Sequence, residues 1–324
     1  MAKIGRTVGW LADKARNGAP PRAEKIGDPL SLEVAFPSAR ADPSGCLILD
    51  RLVAFPSFRL PGEATTRALL GELRLLFGVG ERYDRRLRAE GYASIADLRE
   101  HPRWADAANA LLADWGSPPD AGAVYRSLDR WLPSTDPLQL LSLGLLPIEG
   151  LRFFDLETLG LGGSPVFLAA IGRFVNGGFL IRQTLIPSLG AEIALLERTA
   201  AELRDASALL SYNGKSFDWT ILRERLAYYG LPLPEPPIHV DLLHHARRAF
   251  GSEVPDCHLG TIEERVLGVE RSDDLPSAEV PIHYTAYLET GDAAHLVPIV
   301  NHSRQDLASL VVLLERLLRT ADDA

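Results

Sequence analysis

From residue 151 onward the hydrophobic period switches repeatedly between two and about 3.6, and that alternation restricts the chain to a sheet covered by helices. RFFDLET reads as a strand, and PVFLAAIGRFV and GFLIRQTLI read as two more, joined at NGG as a hairpin. EIALLERTAAELRDA has the spacing of an amphipathic helix, ALLSYNG of a buried strand, and FDWTILRERLAYYG of a helix closed by Gly230. IHVDLLHHARRAF reads as a short strand entering a helix with Asp241 as its N-cap, and the remaining chain is helical in pattern. The expectation is a mixed sheet flanked by helices over residues 141–324.

The preceding half has another character. Residues 1–45 mix Gly, Pro, Arg and Ala without periodicity and read as a poorly ordered arm. CLILDRLVAF suggests a short extended segment with no evident role. From 65 to 115 apolar residues recur at three and four, interrupted by GVG, and a Pro/Gly-containing stretch follows, so residues 46–140 are expected to form a small, mostly helical domain. A chain of 324 residues suits two such units. Hydrophobic content of 46% with 24% charged residues excludes wholesale disorder. No run reaches the ~20 apolar residues of a membrane span, and the N-terminus lacks a signal-peptide pattern. Two cysteines without C-x-x-C spacing, Cys46 and Cys257, fit free thiols in a cytoplasmic protein.

Acidic residues stand where an α/β sheet places its chemistry. In FFDLETLG, Asp155 and Glu157 lie two apart on a strand and therefore share a face. Unpaired acids at the end of an apolar strand repel each other unless a divalent cation intervenes. Asp218 opens the helix after a buried strand in LLSYNGKSFDW, near the strand's carboxyl end, where N-capping is the plainer role. Asn213 and Lys215 share that loop and are candidates to touch a substrate phosphate, a turn role for NGK being equally natural, and Thr158 beside Glu157 is a further candidate. His302 and Asp306, four apart in NHSRQDLASL, project from one helix face. A second cluster, His239, Asp241, His244 and His245, reads as a helix cap with packing histidines, and Tyr284 and Tyr287 as helix-packing aromatics.

FDLETLGLGG, SYNGKSFDWTILRERL, HVDLLHHARR and NHSRQDLASL together resemble the four segments of the DEDD exonucleases, more narrowly their YprB-type ribonuclease H-like branch. The resemblance runs from about residue 140 to 317. It implies a ribonuclease H-like mixed five-stranded sheet flanked by helices, with two Mg²⁺ or Mn²⁺ ions held by Asp155, Glu157, Asp218 and Asp306. The implied reaction is 3′-5′ hydrolysis of DNA or RNA, with His302 taking the proton of the attacking water. The chain departs from the pattern at three points: three residues rather than four separate His302 from Asp306, Leu159 follows the Glu-Thr pair, and Ser303 stands where Asn is frequent.

LLGELRLLFGVGERYDRRLRAEGYASIADL, near 69–99, resembles a helix-hairpin-helix, in which Gly78 and Gly80 would let backbone N–H groups approach a phosphate. Arg82, Arg85, Arg86 and Arg88 add cations just beyond, diluted by Asp84 and two glutamates, and a simple helix turn packed on the nuclease domain is the alternative reading. A net charge of −9 excludes a broadly basic nucleic-acid coat but not a carboxylate nuclease. The expected partner is the 3′ end of single-stranded nucleic acid, with DNA favoured by the hairpin and no membrane role. Two rival readings are a non-catalytic nucleic-acid-binding protein and a structure-specific endonuclease on the same fold.

Overall fold

Seven strands hydrogen-bond in the order β1-β2-β5-β4-β3-β6-β7 in the computed structural model, which describes residues 29–55, 58–176, 178–235, 238–271 and 275–322. The five expected strands are β3 (Leu151–Thr158), β4 (Val166–Val175), β5 (Gly178–Leu185), β6 (Ala208–Ser211) and β7 (His239–Asp241). β3, β4 and β5 form an antiparallel meander, while β6 and β7 add in parallel on the other side of β3. The parallel crossovers run through helices, as they must. This is the mixed α/β arrangement expected, with β3 at its centre.

The sheet is wider than the expected five strands. β1 (Arg40–Ala41) and β2 (Leu47–Val53) extend it beyond β5, with all seven residues of β2 registered antiparallel to Phe179–Leu185. Cys46, Leu47, Ile48 and Leu49 are buried in the main core, which is what fixes this register. Asp50 lies directly opposite Arg182, whose Nε donates to Asp50 Oδ1 at 2.8 Å. CLILDRLVAF, without an evident role in sequence, is thus a sheet strand. Of the arm read over 1–45, residues 1–28 lie outside the described residues, and the rest carries α1 (Pro29–Ala35) and β1.

Helices follow between β2 and β3: α2 (Glu63–Gly71), α3 (Glu81–Ala89), α4 (Ala105–Trp115), α5 (Ala121–Trp131) and α6 (Pro137–Leu141). They close around a second apolar cluster that includes Leu69, Leu73, Leu87, Trp104, Trp115 and Leu128. α5 joins the two units, giving Val124 and Leu128 to this cluster and Ala121 and Tyr125 to the main core. Around the sheet lie α7 (Glu192–Arg204), α8 (Asp218–Tyr228), α9 (Leu242–Phe250), α10 (Leu259–Ile262), α11 (Val280–Thr290) and α12 (Leu296–Asp322).

α12 crosses β3, β4 and β5. Across the sheet, Asp155 registers with Ala170 and Ala170 with Gln183, so one row of this face runs from the acidic strand to β5. Gln183 Nε2 donates to the Val300 carbonyl at 2.8 Å and its Oε1 accepts from Arg304 at 3.1 Å, which pins α12 over that row. Tyr284 and Tyr287 are buried, Tyr284 stacking on Phe167 and donating to the Ile186 carbonyl. Cys46 and Cys257 are free. Among the described residues no helix is long and apolar enough to cross a membrane.

Candidate active site

Alternation along β3 sends Asp155 and Glu157 to the α12 face while Phe154 and Leu156 fill the opposite one. β6 pairs with β3 only through Phe153, so the Leu156 N–H would otherwise be orphaned. Asp218, the first residue of α8, supplies the missing acceptor: its Oδ1 takes the Leu156 N–H at 3.0 Å, and the side chain is 5% exposed. A carboxylate that sequence alone reads as a helix cap is thereby drawn onto β3.

The turn before α8 is built for this placement. Asn213 sits at φ 62, and its N–H and that of Lys215 donate to Asp241 at 2.8 and 3.2 Å. Asp241 also accepts from Leu243 N at 3.1 Å, so it caps α9 as expected and clamps the turn as well. A Cβ on Gly214 would stand 2.4 Å from Ser211 Cβ and 3.2 Å from Asp218 Oδ2, which leaves room only for glycine. His245 is buried and His239 half-buried, and desolvation pushes both pKa values down to about 3, so they are neutral packing groups.

Asp306, from α12, completes a set of four acids drawn from three elements. Burial raises the Asp155 carboxyl well above the ordinary range, and the charges of Asp218 and Asp306 raise it further. Glu157 is raised likewise by burial and then by Asp155, Asp306 and Asp218. Burial carries Asp218 to about 7 against the pull of the Leu156 N–H. Asp306 is raised by burial and drawn back by His302 and Arg271. These mutual effects bring the four carboxylates into one electrostatic unit, and Asp155 Oδ2 is buried in it without a hydrogen bond.

Arg271, which no pattern in the sequence singles out, is the cation nearest this unit. Its Nη2 donates to Asp306 Oδ1 at 2.5 Å, its Nε pairs with the fully buried Glu263, and its Nη1 lies 3.3 Å from His302 Nδ1. Ser309 and Gln305 also donate to Glu263. His302 Nε2 lies 3.3 Å from Ser277 Oγ and 3.7 Å from Asp306 Oδ2. The ring thus lies against both Arg271 and Asp306.

The remaining predicted positions separate. Thr158 is buried and its hydroxyl donates to the Gly160 carbonyl at 2.6 Å, so it is a strand-end lock rather than a substrate contact. Asn213 is exposed beside the acids' turn. Lys215 donates to the Tyr125 hydroxyl at 3.3 Å, and burial lowers its pKa. Gly78, at φ +81, belongs to the helical unit, where a Cβ would also press on Trp104 at 3.3 Å. Gly80 has ordinary angles and open space around it.

The donor set suits a hard divalent cation in kind, being all carboxylate oxygen with one oxygen unpartnered. It is not a closed cage: among the described residues no group of three or more His, Cys, Asp or Glu side chains is arranged to grip an ion. The reason lies in the contacts, since Asp218 is turned to Leu156 and Asp306 to Arg271.

A five-stranded mixed core with acids on its central strand defines a ribonuclease H-like α/β protein. The family model of the RNase_H superfamily matches residues 152–318, and the chain belongs to that superfamily. It is 35% identical over 170 residues to the uncharacterized protein YprB of Bacillus subtilis (strain 168), a match covering 51% of this chain and 41% of that protein. The aligned segment thus spans less than half of that relative's length. The family B DNA polymerase of the archaeon Pyrobaculum calidifontis aligns in structure with a TM-score of 0.43 and 19% identity, over 52% of this chain and 24% of that one.

Proposed function

We propose that this chain is a metal-dependent 3′-5′ exonuclease that hydrolyses the phosphodiester bonds of DNA or RNA. The observation that carries the reading is the convergence of Asp155, Glu157, Asp218 and Asp306 from β3, α8 and α12 into one unit, with Asp155 Oδ2 buried and unpartnered. These four residues would hold two Mg²⁺ or Mn²⁺ ions, which when bound supply Lewis-acid polarisation of the phosphate, an activated water and charge relief at the leaving 3′ oxygen.

The chain's own part is positioning. Leu156 N–H and the Asp241-clamped turn set Asp218, and His302 and Arg271 set Asp306. Lys215 and the exposed Asn213 stand beside Asp218 as contacts for the phosphate backbone. In the helical unit, the Gly78–Gly80 hairpin would present N–H groups to phosphates further along a strand, and its open surroundings at Gly80 suit a close approach. Such hairpin binding favours DNA. Free Cys46 and Cys257 suit a reducing cytoplasm.

The rival is a non-catalytic nucleic-acid-binding module, and the engagement of Asp306 by Arg271 is the observation in its favour. A time course on 3′- and 5′-labelled single-stranded DNA and RNA, with Mg²⁺, Mn²⁺ or EDTA, separates the two. Metal-dependent shortening from the 3′ end, lost in Asp155→Ala/Glu157→Ala, is expected. Internal cleavage would point to an endonuclease, and intact substrate with a folded protein to the binding module.

A further inference from the structure

Phe77 stands at the tip of the hairpin with its side chain 75% exposed, although Leu75, Leu76 and Val79 around it are buried. Trp131, the last residue of α5, is 37% exposed and meets it, with ring centroids 5.8 Å apart and planes tilted by 54°. The Arg130 guanidinium lies 5.0 Å from the Trp131 ring centre and forms no ion pair among the described residues. Two aromatic rings from separate segments thus share open solvent with an available cation.

The geometry points to a stacking platform, formed by Phe77 and Trp131 with Arg130 beside it, for an unpaired base of single-stranded nucleic acid. Aromatic faces hold bases of any sequence, while an adjacent arginine answers the backbone charge. A protein partner fits less well, because two rings offer at most a few hundred Å² where a stable interface takes about 800 Å² from each side. α5 also ties the platform to the acidic site: Tyr125 Oη donates to the His239 carbonyl at 2.6 Å and accepts from Lys215. From Tyr125 to Trp131 the helix rises about 9 Å at ~1.5 Å per residue, the span of a few stacked nucleotides. The platform thus stands within a few nucleotides' length of the Lys215 loop along the α5 axis.

The inference rests on the reading that the chain acts on nucleic acid, and the experiment separates the two. Fluorescence anisotropy would follow a labelled oligothymidylate and an abasic strand of equal length binding to the full chain carrying Asp155→Ala, which prevents degradation. Adding Phe77→Ala or Trp131→Ala is expected to weaken oligothymidylate binding on the order of tenfold, with Trp131→Phe retaining most of the affinity. Abasic binding should be weaker from the start and insensitive to these changes. Unchanged oligothymidylate affinity in both alanine variants would overturn the platform alone. Loss of concentration-dependent self-association in sedimentation, with oligonucleotide affinity unaltered, would assign the rings to a second copy of the chain and likewise overturn it. A parent protein that binds neither strand would overturn the platform and the nucleic-acid reading together.

Discussion

Replacing Asp218 by Asn should stabilise the metal-free protein, and more so at high pH. The asparagine keeps a carbonyl oxygen to accept the Leu156 N–H but removes the charge. Asp218 titrates near 7 in the fold because burial disfavours its charged form, against an ordinary value of 3.8. A carboxyl whose folded pKa lies above its unfolded one binds more protons when folded, so stability falls as pH rises from about 4 through about 7. At ~1.36 kcal/mol for each pH unit separating the folded and unfolded titrations, the penalty grows from roughly 2 kcal/mol at pH 5 to roughly 4 kcal/mol at pH 8. Urea unfolding in EDTA at both pH values measures it. Asp218→Asn should exceed wild type at pH 8, with the difference shrinking by ~2–3 kcal/mol at pH 5. A variant equal to or less stable than wild type at pH 8 would refute the claim that the buried charge of Asp218 destabilises the metal-free protein.

Gly214→Ala should cost on the order of 1–3 kcal/mol and lower the melting temperature, since its Cβ would stand 2.4 Å from Ser211 Cβ in the turn that sets Asp218. Arg225→Ala should cost about 3–5 kcal/mol in urea unfolding, because Glu192, 1% exposed and bonded to Arg225 Nε at 2.8 Å, would keep a buried charge without its partner. A chain beginning at residue 141 would lose β2 and bare the edge of β5 along Phe179–Leu185. That chain should self-associate in sedimentation more strongly than the full chain, and one that keeps residues 40–55 should be cured of the excess.

Much of the sheet was legible because its signals are local. The alternation in LRFFDLET places Asp155 and Glu157 on one face, and four-residue spacing puts His302 and Asp306 on one side of α12. β2 is recognisable as extended, yet its register with β5 joins residues more than a hundred positions apart and leaves no periodic mark. Asp218 is a candidate from its place after β6. That its carboxylate replaces a strand partner for Leu156 depends on β6 ending early, a feature of pairing rather than composition. Arg271 and Glu263 lie beyond sequence reasoning altogether. A buried glutamate on a helical turn and an arginine in an acidic loop look like surface charges until the fold sets them against Asp306. His302 shows the reverse: its spacing from Asp306 is legible, while its contact with Arg271 is not.

The central claim, that the four acids act as one cation site, is most directly met by calorimetric titration of the metal-free protein with Mn²⁺ near pH 7, repeated in buffers of differing ionisation heat. Burial and mutual repulsion raise the proton affinity of Asp155, Glu157 and Asp218, so binding should release protons, and the measured heat should vary with the buffer. Both the binding and the buffer dependence should vanish in Asp155→Ala/Glu157→Ala. Absence of Mn²⁺ binding by the folded wild type, or binding that survives the double substitution, would contradict the account.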